Sequence, residues 1–153
     1  MGNETAMVQP TGRIVLDNQG IHHQTKKVET ATNVYPGRLL EKGTNDDDVV
    51  VCGGSNPAVG WAGYEGTVKK HRPATIDTIY AQNAQIDMVN GPGIVILASI
   101  PSGQTVVKGE ILTFAAAGEL TVATAGTHHV VATAEESKST TSGSVDILVR
   151  SLI

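Results

Sequence analysis

No window of helical length in these 153 residues keeps apolar side chains at i, i+3, i+4 and i+7, because Gly, Pro, Val and Thr recur too often. A helical bundle is excluded and a short helix is the most the chain can hold. What recurs instead is a brief β-branched run closed by turn residues, the pattern of an all-β domain. Asp48-Val49-Val50-Val51-Cys52 reads as one strand, entered through Asn45-Asp46-Asp47 and closed by Gly53 to Pro57. Thr75 to Tyr80 and Gln85 to Val89 read as two more, the second with Ile86 and Met88 on one face and Asp87 on the other. Ile94-Val95-Ile96-Leu97-Ala98 is continuously apolar, which predicts a core strand covered on both faces. Val106 to Phe114 and Glu119 to Ala123 predict a hairpin through Ala117-Gly118. His129 to Thr133, a Ser/Thr/Gly loop from Ser137 to Ser144, and Val145 to Arg150 complete the series; in the last, Val145, Ile147 and Val149 face one way.

The length suits one domain around a single core. Aromatics make up only 3% of the chain, so Val, Ile, Leu and Ala must fill the interior, and the scattered Tyr35, Trp61, Tyr64, Tyr80 and Phe114 predict no stacking platform or aromatic-walled cofactor site. The net charge is -4, and basic residues cluster only at Lys26-Lys27 and Lys69-Lys70-His71-Arg72, which argues against direct nucleic-acid binding. One cysteine, Cys52, excludes a disulfide framework within the chain and suits a reducing cytosol. A polar start, Met1 to Met7, and the lack of any apolar run of spanning length predict a soluble chain with no membrane partner.

Up to about Tyr35 the sequence is polar, with one apolar patch, Ile14-Val15-Leu16, between Thr11-Gly12-Arg13 and Asp17-Asn18-Gln19-Gly20. One reading makes residues 1–34 an extended arm ahead of a β-barrel domain at 35–153. So little apolar surface cannot offset the entropy of ordering, and the arm would become fixed only against the body or a neighbouring molecule. The other reading makes this segment the first strand of the domain's own sheet.

Few side chains are grouped in ways that carry chemistry. His22-His23 and His128-His129 invite a metal, but neighbours on a strand point to opposite faces, so a pair cannot chelate one ion and rim histidines are expected. Asp46-Asp47-Asp48 lacks the spaced oxygen donors of a calcium loop and reads as a solvated turn. Gly53-Gly54-Ser55 and Gly60-Trp61-Ala62-Gly63 are followed by no Gly-Lys-Ser/Thr, which leaves turn chemistry rather than a phosphate cradle. Cys52 ends an apolar strand, as a small buried residue would. Lys69 to Arg72 is either a solvated loop or a contact for an acidic partner. Trp61 and Tyr64 flank a predicted turn and are candidates either for interface anchors or for packing over the barrel mouth. No cofactor, metal or catalytic residue is expected.

Three motifs in order, Tyr35-Pro36-Gly37-Arg38-Leu39-Leu40, Asn56-Pro57-Ala58-Val59-Gly60-Trp61-Ala62-Gly63-Tyr64-Glu65 and Val107-Lys108-Gly109-Glu110-Ile111-Leu112, resemble the capsid cement, or head decoration, proteins of tailed viruses. Ala115-Ala116-Ala117-Gly118-Glu119-Leu120 and Ile147-Leu148-Val149-Arg150 stand where that family has "AAxGxL" and "ILVR" segments, so the resemblance runs from Tyr35 to Arg150. It implies a small β-tulip-like barrel, assembled as a homotrimer on threefold positions of the capsid exterior, with the major capsid protein as partner and the host cytoplasm as the place of synthesis. Glu110 in place of the commoner aspartate and the long amino-terminal segment depart from the pattern. On that reading Ile14, Val15 and Leu16 would add as a strand to the shell, with Trp61 and Tyr64 as anchors. A tail or head-fibre base shares the same composition. A trimeric β-barrel enzyme has no convergent acid, base and nucleophile in the sequence, and a lipoyl-type carrier lacks the hairpin-tip lysine context around Lys108.

Overall fold

In the computed structural model the described residues are 22–153, and they form twelve strands and one 3-10 turn. The strands are β1 (His22–Val28), β2 (Leu39–Lys42), β3 (Asp48–Val51), β4 (Ala58–Ala62), β5 (Gln85–Asn90), β6 (Val95–Ile100), β7 (Thr105–Val106), β8 (Ile111–Phe114), β9 (Leu120–Val122), β10 (Ala132–Ala134), β11 (Lys138–Ser139) and β12 (Val145–Ser151). The turn is Ala116–Gly118, and the all-β class expected from the sequence is what the molecule has.

The strands divide into a closed barrel, β1-β3-β2-β4-β5, and a five-stranded sheet, β6-β12-β10-β8-β9, with β7 and β11 as a separate ribbon. The barrel closes because β1 pairs antiparallel with β5 over His22 to Lys27 and then parallel with β3 at Lys27 and Val28. Closure removes free edges from that half, whereas β6 is an outer strand of the sheet with β12 beside it. The expected hairpin is β8 with β9, in the register Leu112 opposite Val122 and Phe114 opposite Leu120.

There are two cores rather than one. Inside the barrel lie Val28, Val34, Leu40, Val49, Tyr80, Ile86 and Met88; under the sheet lie Leu39, Cys52, Trp61, Ile100, Leu112, Leu120, Ile147 and Val149. A period of two lets one strand serve both: Leu39 and Trp61 point under the sheet, while their neighbours Leu40 and Ala62 point into the barrel. Successive apolar pairs on β2 and β4 therefore form a shared wall.

Three sequence readings change. The segment at His22–Val28 is a barrel strand, so of the two readings of residues before Tyr35 the strand holds there, and Val34 is also in the barrel core. Ile14, Val15 and Leu16 lie outside the described residues. Thr75 to Tyr80 is a turn-rich segment, not a strand. The Thr75 hydroxyl accepts from the Asp77 amide at 3.2 Å and meets the Thr78 hydroxyl at 3.0 Å, a local bonding pattern that competes with a sheet ladder. Finally, β6 is not covered on both faces, since Val95 is 50% and Leu97 45% exposed.

Candidate interaction surface

Where the barrel meets the sheet, two of the motifs quoted above come together. The Arg38 guanidinium sits 3.1 Å from Glu119 Oε2 and donates to the Ala117 carbonyl at 2.9 Å; Glu119 Oε2 also accepts from the Ser99 hydroxyl at 2.9 Å. Glu119 and Ser99 are buried, and the Arg38 guanidinium stacks over the Tyr35 ring at 4.9 Å. Thus Pro36-Gly37-Arg38 and Ala117-Gly118-Glu119, about 80 residues apart, make one clasp between the two halves. Gly37 is required in it: its φ is +83°, and a Cβ there would run into the Leu97 carbonyl oxygen. A second buried carboxylate, Glu41, accepts from the amides of Gly53 and Gly54 at 2.9 and 3.0 Å and so shapes the turn after β3.

Next to this clasp the molecule carries its exposed apolar stripe. Leu97 stands opposite Leu148 in the β6–β12 register, and Val95 shares the outer face of β6 with Leu97. A groove of about 230 Å³ runs beside them, with Tyr64, Ile76 and Asp77 on its far wall and Asp146 at its rim. Ile76 is 45% exposed, so Val95, Leu97 and Ile76 face outward around one channel, with Leu148 beside Leu97 on β12. Asp77 and Asp146 give the groove an acidic lining, and Arg150, opposite Val95 in the β6–β12 register, donates to Glu135 at 2.7 Å. Such an arrangement offers apolar burial and negative charge; it presents no exposed thiol, because Cys52 is wholly buried and desolvation pushes its thiol up to about 11.

The sequence-predicted residues fall unevenly around it. Trp61 is no surface anchor: it is fully buried, and its indole donates to the Ser151 hydroxyl at 3.0 Å, so no partner can reach it in the folded chain. Tyr64 does line the groove, where the Arg72 guanidinium covers its ring at 5.0 Å and its hydroxyl donates to the Pro73 carbonyl at 3.2 Å. Arg72 of the basic cluster is therefore engaged locally, while Lys69 and Lys70 are exposed. His23 Nδ1 lies 2.9 Å from Asp87 on the barrel rim, and His128 accepts from the Thr124 amide. Among the described residues no three His, Cys, Asp or Glu side chains form a group able to hold a metal. Asp46 and Asp47 are solvated as expected, but Asp48 turns inward to Asn45 and Lys27; the Asn45 amide, followed by Lys27, holds its carboxyl below the ordinary range.

Sequence reasoning missed Val95, Leu97 and Leu148 as surface residues. An apolar run on an outer strand looks the same as one on a central strand, and only strand order separates them.

No family model matches the chain, and no curated protein matches it either. Among solved structures, the head fiber gp8.5 N base of bacteriophage phi29 is similar in fold, with a TM-score of 0.50 at 13% identity, over 86% of this chain and 93% of that one. At that identity the likeness is one of architecture.

Proposed function

We propose that this chain is a structural component of a bacteriophage virion, carried on the outside of the head. The observation that carries the reading is the fold shared with a head-fibre base along nearly the whole of both chains, joined to an exposed apolar stripe on an all-β body. The motifs that resemble those of cement proteins are compatible with the same place on a particle. On the cement reading, trimers of this chain sit at threefold positions on the major capsid protein. They hold joints of the shell together through many weak contacts that add up by avidity. The structural neighbour favours a second reading, in which the body is the base from which a head fibre rises. Both need rigid bodies whose outer surface does the binding, and neither needs a cofactor, catalysis, nucleic acid or a membrane. Synthesis in the host cytoplasm followed by attachment to the capsid exterior fits either.

Electron microscopy of particles made with and without this chain tests both. Extra density at threefold positions that ends close to the shell is the cement result, and density continued by a projecting fibre is the base result. Particles identical in the two preparations would overturn the proposal. Mass measurement of the isolated protein in solution tests the homotrimer separately.

A further inference from the structure

We infer that the groove beside β6 receives the turn Val68-Lys69-Lys70 of a second copy of this chain, with Val68 on its apolar side chains and the two ammonium groups at Asp77 and Asp146. Such a contact is what a trimer would need, but it rests on these two surfaces and not on the virion reading.

Charge is the first argument. Among the described residues every Asp and Glu carboxylate has a hydrogen bond or an ion pair except those of Asp77 and Asp146, which are both exposed and both line this groove. Two unpartnered carboxylates beside Val95, Leu97 and Ile76 match a surface that is apolar and cationic at once.

The turn after Thr67 is such a surface. Val68, at 57%, is the most exposed large hydrophobic among the described residues, and Lys69 and Lys70 beside it are exposed with no partner among those residues. The turn is also held in shape before any contact forms. The amides of His71 and Arg72 donate to the Val68 carbonyl at 2.9 and 3.1 Å, the Arg72 guanidinium covers the Tyr64 ring, and Thr67 is buried against the Tyr80 hydroxyl. Docking therefore costs little conformational entropy. The other exposed valine and lysine in sequence, Val107 and Lys108, have Glu110 and Glu135 near them and offer no excess of positive charge.

The occupant is a second copy because the two surfaces do not engage within one chain. The turn springs from Tyr64 on the far wall of the groove, and its lysines make no ion pair with Asp77 or Asp146 of the same molecule. Each copy thus offers one turn and one groove. A contact between unlike surfaces joins copies head to tail, and it closes as a ring where the rotation allows.

Sedimentation velocity of the full-length protein at low ionic strength, up to about 100 µM, tests this. Association is expected, and it should weaken about tenfold in Asp77→Lys with Asp146→Lys, and by a similar factor in Lys69→Glu with Lys70→Glu. All four positions are exposed, so near-ultraviolet circular dichroism should show an unchanged fold. Joining the four substitutions in one chain rebuilds the contact with its signs exchanged and should restore association, which damage to either surface would not allow. A wild-type protein that stays monomeric throughout overturns the inference and leaves the groove to a different basic partner. Association that both reversals leave intact, or a combined variant as weak as either pair, also overturns it. Electron microscopy of particles decides the virion reading separately.

Discussion

The barrel and the sheet use the same twofold alternation but finish it differently. In the barrel every strand has two neighbours, and the inward positions of β1 near its mouth are Gln24 and Lys26, which line a cavity of about 410 Å³ with Met88 and Asn90. In the sheet the interior is mostly apolar, its few buried polar groups such as Ser151 and Glu119 being hydrogen-bonded, while β6 and β12 carry Val95, Leu97 and Leu148 on the outside. Closing a sheet satisfies its edges and leaves polar side chains free to fill the ends; leaving it open keeps an edge and an apolar face for something else to cover. Binding should therefore depend on the sheet, and the barrel should act as its rigid mount.

The sharpest way to break that comparison is to attack the shared wall. Trp61 fills the sheet core from a barrel strand and anchors Ser151 near the carboxyl end, so Trp61→Ala should cost about 4 kcal/mol in urea unfolding. Because the wall belongs to both halves, one cooperative transition is expected. Two separated transitions would mean that barrel and sheet are independent bodies.

Next in size is the clasp. Arg38→Ala leaves the Glu119 carboxylate buried with the Ser99 hydroxyl as its remaining side-chain partner, a loss of about 3 kcal/mol. Replacing Arg38 and Glu119 together by Leu removes the stranded charge and should recover most of that loss. A double variant as unstable as the single one would show that the pair acts through shape and not charge.

A smaller effect is confined to the barrel. Between β4 and β5 the chain runs more than 20 residues without a strand, and it is tied down by Tyr80, whose hydroxyl donates to the Gly63 carbonyl and meets the Thr67 hydroxyl, itself an acceptor for the Asp87 amide at 3.0 Å. Tyr80→Phe should cost about 1–2 kcal/mol and raise hydrogen exchange in β5 before β12. Burial pushes the Tyr80 phenol up, so its share of stability is complete below the ordinary tyrosine range and is lost as pH rises through the folded value. The phenylalanine variant should show a shallower alkaline decline.

The sheet half was largely legible in the sequence, and the barrel half was less so. Val145 to Arg150 announced β12 through strict alternation, and Leu112 and Leu120 marked their hairpin. β1 did not show itself because its inward positions line a polar mouth, leaving Val28 as the lone apolar signal in His22–Val28. Thr75 to Tyr80 imitated a strand because Ile76 and Ile79 sit among β-branched neighbours, yet both are exposed and only Tyr80 enters the core. The exposed stripe was hidden for a related reason: an apolar run such as Val95 to Leu97 reads the same whether its cover lies within the fold or is lacking. Trp61 shows the converse, since a large aromatic beside a turn suits an anchor or a core residue until its partner Ser151, 90 residues away, is known.

The finest distinction between the halves lies in acid. In the barrel, the Thr44 hydroxyl and amide donate to Glu29 at 2.6 Å each and hold its carboxyl below the ordinary range, as Asn45 and Lys27 do for Asp48; in the sheet, the Arg150 bond does the same for Glu135. A depressed carboxyl contributes stability that is present above the unfolded value, about 4, and is lost as pH falls through the lower folded one, because the unfolded chain takes up its protons first. Two such groups close the β2–β3 turn against β1, so the barrel should loosen before the sheet between about pH 4 and 2. Hydrogen exchange followed by mass spectrometry during acid titration checks the order, with β3 amides expected to lose protection ahead of β12. Thr44→Val removes the hydroxyl donor to Glu29 while leaving the sheet untouched, and it should flatten only the barrel's acid response. If β12 opened first, or if both halves opened together with an unaltered slope in Thr44→Val, closure of the barrel would owe nothing to these turn carboxylates and would have to come from the parallel pairing of β1 with β3.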